Sequence, residues 1–114
     1  MKYLCLVYGE ELALAGMPDR HCLDVDEELR ASGHCVASEA LQPAATATTV
    51  RIRNGKVSVT DGPFAETKEY LAGFYLIEAR DLNEAIQLAS RIPPAAVGAV
   101  EVRPIRPIRE MAKA

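Results

Sequence analysis

Short apolar blocks separated by polar punctuation run through the whole chain. Lys2–Tyr8 (KYLCLVY) is apolar on both parities, with Tyr3, Cys5 and Val7 facing one way and Leu4, Leu6 and Tyr8 the other. Such a run predicts a strand covered on both sides. Gly9 ends it, and residues 10–16 fit no more than one helical turn. Beyond Pro18, which suits the first turn of a helix, Cys22, Val25 and Leu29 recur at three- and four-residue steps. Asp24, Glu27, Glu28 and Arg30 occupy the other side, so this stretch predicts an amphipathic helix closed by Gly33. His34–Leu41 predicts a second strand anchored by Val36, and Gln42–Ala45 a connection.

Thr49–Thr60 gives the sharpest local prediction. Asn54-Gly55 is the preferred pair for a two-residue type I′ turn. That register sets Arg53 against Lys56, Ile52 against Val57, Arg51 against Ser58 and Val50 against Val59. The four aliphatic residues then share one face, and the charges and hydroxyls share the other. Gly73–Ala79 is almost wholly apolar and predicts the central strand, with Phe74 and Leu76 on one face and Tyr75 and Ile77 on the other. Asp81 and Glu84 form a D-x-x-E capping box for a helix whose stripe is Leu82, Ala85, Ile86 and Ala89. Pro93-Pro94 stops that helix. Residues 97–103 predict the last strand, and the proline-spaced tail, residues 105–114, predicts extended chain.

Setting the hairpin aside, the order is βαββαβ. The expected fold is therefore α+β and ferredoxin-like, with an inserted β-hairpin. Two helices cover one face of such a sheet, yet the first and central strands are apolar on both. A second copy packed sheet against sheet about a two-fold axis is the expected cover, a homodimer through the sheet face.

Composition narrows the classes. The 114 residues make a single domain spanning 1–114, 49% hydrophobic and 25% charged. A net charge of −3 gives no electrostatic footprint for nucleic acid. No apolar run is long enough for a membrane-spanning helix. Met1-Lys2-Tyr3 leads straight into the first strand without a cleavage signal, so a cytoplasmic protein is expected. The three cysteines, Cys5, Cys22 and Cys35, are too few for a disulfide framework, and no C-x-x-C or H-x-x-x-H spacing points to a metal.

Candidate chemistry gathers at Asp61-Gly62-Pro63-Phe64. Glycine and proline together fix the backbone, so the nearby Asp61, Glu66 and Lys68 are pre-organised. These three, with Phe64 as lining, are candidate ligand contacts for an unknown small molecule. Asp61 is also a candidate general base, the alternative being an Asx turn to its own backbone. Glu39, near the end of the second strand, is a further candidate if that end faces a cleft. No glycine-rich phosphate loop and no G-x-S-x-G elbow occurs, so no cofactor is expected.

The run V-T-D-G-P-F-A-E-T-K-E, followed by L-A-G-F-Y-L-I-E-A and D-L-N-E-A-I, resembles the DGPF subfamily of the YCII-related proteins. M-K-Y-L at the start, L-Q-P-A-A-T-A-T-T-V-R before the hairpin and V-E-V-R-P-I near the end extend the resemblance over nearly the whole chain. It implies a dimeric α+β barrel and no settled activity. Some distant members resemble enzymes of chlorinated-aromatic breakdown, with a His–Asp pair proposed as catalytic; His21 lies loosely where the helix histidine of that pair would fall. Other members accompany sigma factors of the extracytoplasmic-function type. Three functions follow as expectations: a small-molecule-binding or regulatory dimer, a cofactor-free lyase, isomerase or dehalogenase acting on a small (for instance aromatic) compound, or an interaction subunit for a partner such as a sigma factor.

Overall fold

A computed structural model describes residues 1–112. The two strands that are apolar on both parities lie side by side at its centre. β1 (Lys2–Gly9) pairs antiparallel with β5 (Tyr70–Glu78), setting Leu4 beside Leu76 and Leu6 beside Phe74. β2 (Cys35–Ala40) joins the outer edge of β5, and β6 (Ala99–Pro104) joins β1. The order β2-β5-β1-β6 is the ferredoxin-like arrangement predicted from the sequence.

The helices lie on one side. α1 (Glu11–Ala15) is a single short turn, and α2 (Asp19–Ala31) follows with Pro18 at its N-cap, one residue before the first turn. α2 ends in a Schellman motif: the His34 N–H donates to Leu29 O at 2.8 Å and the Gly33 N–H to Arg30 O at 3.1 Å. Gly33 accepts the required positive φ of 80°. α3 (Leu82–Ala89) starts at Asp81, whose carboxylate accepts from the Glu84 N–H at 2.9 Å. Glu84 reaches back to the N–H of Arg80 at 3.0 Å, one residue before the cap. The core between the helices and the sheet holds Tyr3, Cys5, Val7, Leu29, Tyr75, Ile77, Leu88 and Ile92.

β3 (Thr48–Arg53) and β4 (Lys56–Asp61) form a separate two-stranded sheet with the predicted register throughout. Asn54 and Gly55 take φ of 53° and 74°, as the type I′ turn demands.

Three expectations are corrected. Val36 does not anchor β2: it is the extra residue of a bulge between Cys35 and Ala37, and it is 47% exposed. The stripe of α3 is turned toward Ala85, Leu88, Ala89 and Ile92, which follow i, i+3, i+4, i+7, and leaves Leu82 and Ile86 half exposed. The tail is not extended throughout. Pro107 presets the φ of a first turn, and α4 (Ile108–Ala112) forms from good helix formers; residues 113–114 of that tail lie outside the described residues.

The helices leave the other sheet face open, with Leu4, Leu6, Phe74 and Leu76 only partly buried. The shape reflects this. The chain is a plate of 47 × 46 × 19 Å with a radius of gyration of 16.1 Å, against roughly 13 Å for a compact domain of this length. Its accessible surface is 8143 Å². A folded chain of 12.4 kDa is expected to expose roughly 6,100 Å².

Where β6 meets β1 the backbones approach closely at Gly98. A Cβ there would collide with the Tyr8 carbonyl oxygen and stand 3.0 Å from the Gly9 Cα. Gly98→Ala should therefore lower the unfolding free energy by roughly 2 kcal/mol, the usual cost of overpacking against backbone. Urea denaturation reads this directly, and an unchanged midpoint would contradict the packing described.

Candidate ligand-binding cleft

The Schellman turn at Gly33 sends the chain back along α2, so β2 runs beside the helix it follows. This brings Ser38 onto Asp26, twelve residues earlier in the chain. Cys22, Asp26 and Arg30 stand at successive four-residue steps and so share one flank of α2, beside the buried Val25–Leu29 stripe. That flank forms one wall of a cleft of about 730 Å³. α1 supplies Leu12 and Leu14, the chain after β2 supplies Leu41, and β5 supplies Leu71 and Tyr75.

The polar groups of the cleft are connected. Ser38 Oγ donates to Asp26 Oδ1 at 2.5 Å, and Arg30 donates from Nε to Asp26 Oδ2 at 2.9 Å and from Nη2 to Ser38 Oγ at 3.1 Å. The Cys35 thiol lies 3.7 Å from Asp26 Oδ1. Burial pushes the Asp26 carboxyl up, but the hydrogen bonds from Ser38 and Arg30 and the guanidinium charge outweigh it, and its pKa falls below the ordinary value. Asp26 is thus a fixed carboxylate.

Tyr75 is only 8% exposed and lines the same cleft. Burial, followed by the neighbouring Cys22, Asp26 and Cys35, pushes its phenol up to about 12. Its hydroxyl makes no hydrogen bond among the described residues, and no buried side-chain oxygen there lacks both a partner and solvent access. The hydroxyl therefore keeps some access to solvent as a neutral donor and acceptor, on a side chain that lines the cleft. The Cys22 and Cys35 thiols are raised by burial and stay protonated at neutral pH. Cys5, in the core, is raised to about 11, mainly by burial.

Of the residues singled out from sequence, Glu39 lies at the rim of this cleft. Asp61, Phe64, Glu66 and Lys68 do not line it. Phe64, expected as lining, is 79% exposed in the single chain, because the 62–69 loop runs over the surface. The Asp61 carboxylate accepts no hydrogen bond and joins no ion pair among the described residues. Lys68 Nζ lies 3.2 Å from Glu10 Oε1, an exposed pair of little energetic weight. His21 is exposed on α2 and outside the cleft. The other histidine, His34, contacts Ser32 Oγ at 2.8 Å and stands 3.8 Å from Glu84 Oε1, also outside it. No group of three or more His, Cys, Asp or Glu among the described residues is arranged to hold a metal ion. No helix there is long and apolar enough to cross a membrane.

Asp26, Arg30 and Ser38 escape a periodicity reading because each is polar and borders an apolar stripe. Only the four-residue ladder Cys22, Asp26, Arg30 marks that flank of the helix in the sequence.

The match to known proteins is consistent with this frame. The family model of the YCII-related domain covers residues 1–109. The chain belongs to the YCII-related family. A relative described as uncharacterized protein R00369, from Rhizobium meliloti (strain 1021), is 36% identical over 114 residues and 92% of each chain. In this YCII-related protein neither histidine reaches the cleft carboxylate, so the cleft holds no His–Asp pair among the described residues.

The folded-state pKa of Asp26 lies below its unfolded value, near 3.9. Its ionised form therefore stabilises the fold above that pH, and the contribution is lost as pH falls through the folded value. In a carbon-detected carboxyl titration Asp26 should titrate below ordinary aspartates, and Ser38→Ala should move it upward. An ordinary midpoint, insensitive to Ser38→Ala, would contradict the network.

Proposed function

We propose that this YCII-related protein is a small-molecule-binding module, working as a homodimer through its open sheet face. The cleft carries the reading. Its volume falls within the range of small-molecule sites, its walls are mostly aliphatic, and a few convergent polar groups stand at one end. The ligand class that fits is an apolar, ring-sized organic molecule with one polar end, an acid or a hydroxyl. Arg30, half exposed, and the Tyr75 hydroxyl are the donors for that end.

The same chemistry argues for binding over covalent catalysis. A carboxylate held below its ordinary pKa by three donors is a weak base. The Ser38 proton is committed to Asp26, and the Cys22 and Cys35 thiols are protonated, so none of these three is an activated nucleophile. The dimer is supported by the open apolar face and by an accessible surface about 2,000 Å² above expectation.

A ligand-detected NMR screen of phenols and aromatic carboxylates tests the reading. Tyr75→Phe and Arg30→Gln should each weaken a hit roughly tenfold, about the worth of one desolvated hydrogen bond. Asp61→Asn should leave the affinity unchanged. Loss of binding in Asp61→Asn alone would move the site to the Asp61–Lys68 corner, and no hit in the panel would contradict the ligand class.

A further inference from the structure

The β3–β4 hairpin is built like an arm with one unfinished face. Val50, Ile52, Val57 and Val59 share that face and are 62%, 62%, 66% and 63% exposed. The two strands pair with each other and with no strand of the main sheet. At six residues each they are roughly 20 Å long. Their base is closed by hydrogen bonds between the two legs, Gly62 N–H to Ala47 O at 2.7 Å and Thr49 Oγ1 to Gly62 O at 2.8 Å. A lone two-stranded ribbon is marginal in water and does not hold four aliphatic side chains in solvent without a partner.

We propose that the apolar face of this arm is covered by a second copy of the chain, each copy embracing the other. The proposal rests on the homodimer reading above and adds a distinct contact to it. Two observations select a second copy as the occupant. The first is area: the open sheet face offers only a handful of partly buried residues, whereas the surplus surface is about 2,000 Å² per chain. That surplus matches what one subunit contributes to a large obligate interface, and the sheet face and the arm together can supply it. The second is charge. The hairpin, residues 48–61, carries Arg51, Arg53 and Lys56 against the single acid Asp61 at its base, a local charge of +2; the whole chain is −3, so the rest of it carries −5. A cationic arm with an apolar inner face fits the acidic body of another copy: the valines and isoleucine are buried, while the arginines and lysine, on the outer face, steer the approach through their field and reach rim carboxylates only around the edges of the arm.

The test uses the full chain as a mixture of carbon-13 methyl-labelled and unlabelled subunits after exchange. Isotope-filtered NOEs should run from the Ile52 and Val57 methyls to protons of the unlabelled subunit. Ile52→Lys combined with Val57→Lys should raise the dimer dissociation constant at least tenfold by sedimentation, with the circular dichroism of the body retained. A dimer whose arm methyls show NOEs only within their own chain, or none, would overturn the arm proposal and leave the dimer standing. A monomer of the unmodified protein at micromolar concentration would overturn both.

Discussion

Everything in this fold follows from a mismatch between its two central strands and its helices. β1 and β5 are apolar on both faces, and the βαββαβ order delivers both long helices to one side. Tyr3, Cys5, Val7, Tyr75 and Ile77 find cover under α2 and α3, while Leu4, Leu6, Phe74 and Leu76 do not. A two-layer plate 19 Å thick is the result. Burying apolar surface is worth about 25 cal/mol per Å², so an open face of this kind is a strong drive to associate. The arm repeats the mismatch on a smaller scale, because its alternation makes one polar face and one aliphatic face that the chain leaves uncovered.

The cleft arises from the same layout. The Schellman turn folds β2 back along α2 at the edge of the sheet, where the short α1 reaches over without filling the space. Asp26 would be costly there alone. Ser38, Arg30 and the Cys35 thiol satisfy it, and the satisfied network ties helix to edge strand. The network positions Arg30, and on the proposed reading its remaining N–H groups, the Tyr75 hydroxyl and the apolar walls are what is left for a ligand.

The sequence makes legible those features set by local chemistry. The hairpin register follows from Asn54-Gly55, the start of α3 from Asp81 and Glu84, the end of α2 from Gly33, and the central strands from their two-parity apolar runs. Features that depend on what lies across space are not legible in this way. Val36 reads as an anchor until the bulge turns it outward. Leu82 and Ile86 read as stripe until Ala85 and Ala89 prove to be the small residues that let α3 approach the sheet. The acids and lysine around Gly62-Pro63 are conspicuous by composition, whereas the connected carboxylate is Asp26, whose partner Ser38 comes from the next element. Chain periodicity carries no information about that meeting.

The central claim is that one chain is an incomplete structure finished by another copy. Thermal unfolding at different protein concentrations tests it most directly, because a fold completed by association has a stability inseparable from concentration. Between 1 and 100 μM the midpoint should rise by about 5 °C, the shift that a hundredfold change in subunit concentration gives for a dimer of this size. A midpoint independent of concentration across that range would show that the plate is stable alone and would contradict the account.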